Sequence, residues 1–244
     1  MSFKKLLDNT LKTQGMEIRK SQKIWIIPQS SKTRKVIEFT GPPGVGKTTI
    51  MNAFIKKISK KGLTVESKYL NNIVKSDSKI KYNGHVLIFD LFKESLDINI
   101  SSRKLEGQLN RLQLDLQMMD ENLSKTLVAD EWLFKAFGKE LKQLNNNNLN
   151  KFKDVLRNRT IVYVKAPPEK IYSHIQTRNK TWGGHKHKTK QEIILQTQKS
   201  LQSHQDLVEL AETHGAKVIT LDAMNSVAFN ADLLMKELIQ ESNL

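Results

Sequence analysis

Apolar positions recur along this chain in two periods, one near 3.6 residues and one of 2, and the alternation between them lays out the elements. Phe3, Leu6, Leu7 and Leu11 share one face of a short amphipathic helix within residues 1–22. Residues 23–29 then read as a strand, and Pro28 within it favours a sheet edge. A β-branched strand at 36–40 runs into a Gly/Pro-rich turn, and from residue 47 to about 60 the residues Ile50, Met51, Phe54, Ile55 and Ile58 return to helical spacing. Further strands are predicted at 63–66, 85–90, 126–130, 160–165 and 217–222. Helices are predicted at 103–122, 132–144, 151–157, 169–178, 190–213 and 227–240, with a loop over the Asn tract at 145–148. No internal repeat is visible.

Several of these strands are apolar enough to be buried on both faces, and they alternate with helices. That pattern predicts an α/β three-layer sandwich around a mostly parallel five-stranded sheet, with a short helix and strand added at the N-terminus. The division expected is an N-terminal basic extension over 1–34 and one domain over 35–244.

Composition narrows the field. With 38% hydrophobic and 27% charged residues, the chain has a globular balance. It contains no cysteine, which excludes disulfides, thiolate metal sites and a cysteine nucleophile. No apolar run approaches the roughly 20 residues of a membrane span, and the first residues lack the apolar core of a secretory signal, so a cytoplasmic location is expected. The net charge of +15 comes from 40 Lys and Arg against 25 Asp and Glu, and it calls for an anionic partner or substrate. Lys4, Lys5, Lys12, Arg19, Lys20, Lys23, Lys32, Arg34 and Lys35 face only Asp8 and Glu17 in the first 35 residues. A second basic stretch, 178–190, holds Arg178, Lys180, Lys186, Lys188 and Lys190 with no acid between them.

The chemistry is concentrated in Gly41, Pro42, Pro43, Gly44, Val45, Gly46, Lys47, Thr48 and Thr49, which fit the phosphate-loop pattern G-x-x-x-x-G-K-[ST]. Glycines let the backbone wrap a polyphosphate so that its N–H groups face the anion. The following helix adds its N-terminal dipole, Lys47 supplies a charge for the β- and γ-phosphates, and the Thr48 hydroxyl is a ligand for Mg²⁺. A strand before the loop and an amphipathic helix after it are the context this motif requires. Nucleoside-triphosphate binding follows, with ATP and Mg²⁺ as the expected cofactors.

With that loop first, strands ending in acids next, then the segment from Ile161 through Ala166, Pro167, Pro168 and Glu169 to Arg178, the chain resembles P-loop kinases of the nucleoside/nucleotide kinase-like group. Thymidylate, deoxynucleoside and adenylate kinases share that fold. The resemblance spans about residues 35 to 241 and implies an ATP- and Mg²⁺-dependent phosphotransferase. It places Asp130 in the Mg²⁺ shell, Glu131 beside it in the same role or on the acceptor, and Asp90 as the base that takes the acceptor hydroxyl's proton. It makes 178–190 a lid, with Arg178 stacked on the adenine and the other cations closing over the phosphates. The chain departs from the thymidylate and deoxynucleoside pattern at Glu131 and Trp132, where those kinases commonly carry Arg. The acceptor therefore stays open among nucleoside, nucleotide, sugar and glycan.

The alternative reading is a nucleic-acid-binding ATPase or polynucleotide kinase, motivated by the charge; a guanine-recognition signature is missing from the late strands. His185 and His187 sit two apart without a carboxylate or third His nearby, too few ligands for a metal site. The N-terminal helix and strand fit either a homodimer contact or a cap on the sheet edge.

Overall fold

The computed structural model describes residues 23–28, 35–61, 65–69, 125–157, 159–177 and 187–239. Six strands form one sheet: β1 (Lys23–Pro28), β2 (Lys35–Thr40), β3 (Glu66–Tyr69), β4 (Lys125–Asp130), β5 (Arg159–Lys165) and β6 (Lys217–Asp222). Their spatial order is β3-β1-β4-β2-β5-β6. The four strands β4, β2, β5 and β6 run parallel, and β1 is antiparallel to both its neighbours. The strand predicted to end at Asp90 and the helix predicted at 103–122 lie outside the described residues.

Strict alternation along the parallel strands divides two layers of helices. Val36, Leu127, Ala129, Ile161 and Tyr163 face one side, where α2 (Leu133–Ala136), α3 (Gly138–Asn147), α4 (Leu149–Leu156) and α6 (Lys190–Thr213) pack around the fully buried Trp132, Phe137 and Phe152. Ile37, Phe39, Val128, Val162 and Val164 face the other, against α1 (Lys47–Lys60), α5 (Pro168–Thr177) and α7 (Val227–Ile239). This is the expected three-layer α/β sandwich around a mostly parallel sheet.

Two local expectations are corrected. Residues 23–28 are not an edge strand: Ile24, for example, pairs with Lys68 on one side and Ala129 on the other. Pro28 is tolerated there because it is the strand's last residue, where the missing N–H interrupts no continuing ladder. The helix read as one piece over 132–144 is two, broken at Phe137, and the second continues through Asn147 into the tract expected to be a loop. Asn148 then caps α4, its side chain accepting the Lys151 N–H at 3.2 Å.

One buried pair ties the layers together. Glu38 lies in the middle of β2 at 0% exposure, and its carboxylate accepts from Arg159 Nη1 at 2.9 Å and from the Phe134 N–H at 2.7 Å. A charge with no exposure needs such partners. These join β2 to β5 and fix the start of α2, just after the acids that end β4.

Candidate functional site

The carboxyl ends of parallel strands are where an α/β sheet presents ligands, and here the chain leaves β2 into the glycine-rich loop. Gly41, Gly44 and Gly46 have φ of 137°, 86° and 105°, values that only glycine adopts without strain. The first two are also held by contact. A Cβ on Gly41 would lie 2.3 Å from the Val164 carbonyl oxygen, and one on Gly44 would lie 2.7 Å from Ile175 Cγ1. His174 of α5 adds a hydrogen bond from Nδ1 to the Gly44 carbonyl at 3.3 Å. Gly46 caps α1, whose first turn holds no acidic residue. The positive end of the helix dipole thus meets no competing carboxylate of its own.

Lys47 is 5% exposed, and its ammonium is saturated by oxygen: the Gly41 carbonyl at 2.9 Å, the Pro42 carbonyl at 3.0 Å and Glu131 Oε1 at 3.0 Å. Thr48, next along the helix, donates its hydroxyl to Asp130 Oδ2 across 82 residues of sequence. Asp130 ends β4, and pairing of β4 with β2 sets Asp130 opposite Phe39, one residue short of the end of β2. The sheet register therefore delivers the acid to the start of α1. Glu131 follows in the left-handed region at φ 56°, pinned by its N–H to the Phe39 carbonyl at 2.9 Å. That turn sends its carboxylate back over the loop, between Lys47 and Lys135.

Environment separates the two acids. Burial pushes the Asp130 carboxyl above its ordinary range, although Lys47 and the Thr48 hydroxyl oppose the rise. Burial also acts upward on Glu131, but Lys47 and Lys135, with a hydrogen bond from each, outweigh it and hold Glu131 below the usual carboxylate range. A hard divalent cation suits the Thr48 and Asp130 oxygens, and it would favour the ionised form that burial disfavours at Asp130. Among the described residues no cluster of three His, Cys, Asp or Glu could hold a metal alone. Mg²⁺ commonly takes one or two protein ligands and completes its shell with phosphate and water.

Of the residues singled out in the sequence, the structure brings together the loop Gly41 to Gly46, Lys47, Thr48, Asp130 and Glu131. Thr49 lies exposed in the first turn of α1. Asp90, Arg178 and His185 lie outside the described residues. At the described end of the lid-like stretch, Lys188 donates to Gln196 Oε1 at 2.7 Å and Lys190 lies 5.8 Å from the Tyr172 ring centre, so both engage helices. His204 was missed by the pattern. It sits mid-way along α6 with Nδ1 donating to the Ser200 carbonyl at 2.7 Å, close enough to Lys47, Lys135 and Glu131 to feel their charges. Burial first, then the two lysines, holds its imidazole below the ordinary value. Lys135 and His204 share a cavity of about 320 Å³ between α2, α3 and α6.

A protein-family model described as NTPase matches residues 36–129, from the second residue of β2 to the penultimate residue of β4. The match contains the whole phosphate loop and stops just before Asp130. No curated protein matches the chain. Among solved structures, deoxyadenosine kinase from M. mycoides with bound dCTP aligns at 16% identity and a TM-score of 0.38, covering 84% of this chain and 99% of that one. Together with the loop geometry, the family match supports a P-loop fold with a nucleotide-binding, NTPase-type site. No helix among the described residues is long and apolar enough to cross a membrane.

Proposed function

We infer that the protein is an ATP- and Mg²⁺-dependent phosphotransferase. The observation that carries this reading is the meeting of Lys47, Thr48, Asp130 and Glu131 at the carboxyl end of the parallel sheet. The loop N–H groups and the α1 terminus cradle the phosphates, and Lys47 turns from Glu131 to the β- and γ-phosphates. Thr48 and Asp130 would hold Mg²⁺, which offsets phosphate charge when bound. The acceptor oxygen bonds to the γ-phosphorus as the bond to the β–γ bridging oxygen breaks, and ADP leaves with that electron pair. The acceptor's proton goes to a carboxylate.

Glu131 fits that last role because its basicity is coupled to nucleotide arrival. While Lys47 pairs with it, Glu131 is a weak base. Withdrawal of Lys47 and approach of a negatively charged phosphate both raise its proton affinity when the nucleophile needs it. Asp90 remains the rival base, and the acceptor is a nucleoside, nucleotide, sugar or glycan hydroxyl or phosphate. A second reading makes water the acceptor, so that the protein is an NTPase; the family match and the position of Glu131 beside Lys47 favour it. Incubation with γ-labelled ATP, with and without a panel of these acceptors, separates the two. A labelled acceptor supports the transferase, acceptor-independent phosphate release at full rate supports the NTPase, and failure to bind or turn over ATP sinks both.

A further inference from the structure

The cavity of about 320 Å³ that Lys135 and His204 share lies where α2 and the first turn of α3 meet the middle of α6. Ligand cavities begin at about 300 Å³, so this one takes a single ring with its substituents. Lys135 ties it to the phosphate loop. It lines the wall and pairs with Glu131, whose other carboxylate oxygen lies 3.0 Å from the Lys47 ammonium.

The walls hold hydrogen-bond acceptors that the fold leaves unused. Glu140, in the first turn of α3, is 4% exposed and lines the cavity, and among the described residues no group donates to its carboxylate or pairs with it. The α3 dipole offsets part of its charge, but a buried carboxylate still needs donors. His204 adds a second acceptor. Its Nδ1 donates to the Ser200 carbonyl at 2.7 Å, which leaves the neutral ring a lone pair on Nε2. Burial, then Lys47 and Lys135, keep the ring in that neutral form. Ser203 adds a hydroxyl on the exposed side, and Leu207 an apolar wall.

We propose that this cavity binds the acceptor of the phosphotransferase and that the acceptor is a sugar, its ring hydroxyls donating to Glu140 and His204 and its C–H face lying on Leu207. The inference rests on the phosphotransferase reading and names the substrate class of the same site. A phosphate group fits less well, because it brings only further acceptors to Glu140 and Nε2 of His204, and Lys135 is already paired with Glu131. A nucleobase also fits less well. Phe134, the one Phe, Tyr or Trp among the described lining residues, is 2% exposed and too covered to stack on a base. One ring hydroxyl on the Lys135 side bonds through its oxygen to the γ-phosphorus as the β–γ bridging bond breaks. ADP takes that electron pair, and the hydroxyl proton passes to Glu131.

The test is transfer from Mg·ATP, followed by phosphorus NMR, to three sets of acceptors: unphosphorylated pentoses and hexoses, nucleosides, and the monophosphates of both. The expected product is a sugar phosphomonoester. Glu140→Ala should raise KM for that sugar about 10- to 100-fold, the loss of a hydrogen bond to a charged group, while kcat changes by less than about threefold. Ser203→Phe fills the cavity from its exposed side and should raise KM in the same way, which keeps the test open where Glu140→Ala fails to fold. Both variants should bind Mg·ATP as the parent does. The inference alone is overturned if ATP turns over but yields a phosphoanhydride, a nucleoside monophosphate or only free phosphate, or if both variants leave the sugar KM unchanged. If ATP neither binds nor turns over, the phosphotransferase reading fails and takes this inference with it.

Discussion

Replacing Glu131 by Gln should strengthen nucleotide binding while stopping turnover. Glu131 Oε1 lies 3.0 Å from the Lys47 ammonium, and in the proposed mechanism Lys47 must leave it to reach phosphate. At that distance and an effective dielectric of about 20, the direct attraction is about 5.5 kcal/mol. Desolvation of both groups cancels most of it. Glu131 also keeps Lys135 when Lys47 departs, so its charge is not stranded. An exposed pair is worth up to about 1 kcal/mol and breaking a buried one costs about 3–5 kcal/mol; because Glu131 keeps Lys135, the release of Lys47 falls toward the lower limit, at about 1–2 kcal/mol. Glu131→Gln removes that competition, so Kd for Mg·ATP should fall about 5- to 30-fold. Loss of a positioned base should lower kcat by about 10²- to 10⁴-fold. Titration with a fluorescent ATP analogue and single-turnover transfer from γ-labelled ATP read the two effects separately. Weaker nucleotide binding by a folded variant would refute the restraint on Lys47, and an unchanged rate would remove Glu131 as the base in favour of Asp90.

Three further outcomes follow from the same geometry. Arg159→Met strands the Glu38 carboxylate at 0% exposure and should cost about 3–5 kcal/mol, with the Glu38→Gln, Arg159→Met double variant losing less than the sum; thermal melts of the cycle check it, and strict additivity would contradict the pair. Among the loop glycines, Gly41→Ala meets backbone at 2.3 Å, Gly44→Ala meets a side chain at 2.7 Å and Gly46→Ala meets only its own positive φ, so Tm should fall in that order, each about 1 kcal/mol moving it about 2–4 °C. His204 is held neutral by burial and by Lys47 and Lys135, so its folded value lies below the unfolded 6.5. Its contribution to stability is full above pH 6.5 and is lost as pH falls toward the folded value, by at most about 1.4 kcal/mol per unit; urea unfolding of His204→Gln should lack that slope.

The phosphate loop was legible because its function is written in backbone conformation, and only glycine fills three left-handed positions around a Lys-Thr pair. The layers were legible too, since buried parallel strands read as apolar runs such as Ile161 to Val164. Neighbour order was not. Alternation reports which face a residue takes and is silent on which strand lies beside it, so Pro28 pointed to an edge although β1 pairs on both sides. Glu38 inside an apolar strand signals a buried acid, but its partner is 121 residues away and the sequence holds no mark that joins them. Lys135 was missed as well, although its i+4 spacing from Glu131 was a signal that could have found it, whereas His204 reaches the site from a different helix and only packing reveals it.

Glu131 is also the one non-glycine residue with positive φ among the described residues, and that strain says what the position is for. The left-handed conformation costs a residue with a Cβ about 1–2 kcal/mol, yet the Phe39 carbonyl holds the Glu131 N–H at 2.9 Å and enforces it. An extended continuation of β4 would avoid the strain and would carry the carboxylate away from Lys47. The strain and the ion pair can be separated by comparing two neutral replacements. Asn tolerates the left-handed region better than Gln because its short side chain bonds to local backbone. Glu131→Asn should therefore melt above Glu131→Gln by about 1–4 °C, while both release Lys47 and tighten nucleotide binding. If the Gln variant is equally or more stable, the turn is unstrained and Glu131 owes its place to charge alone.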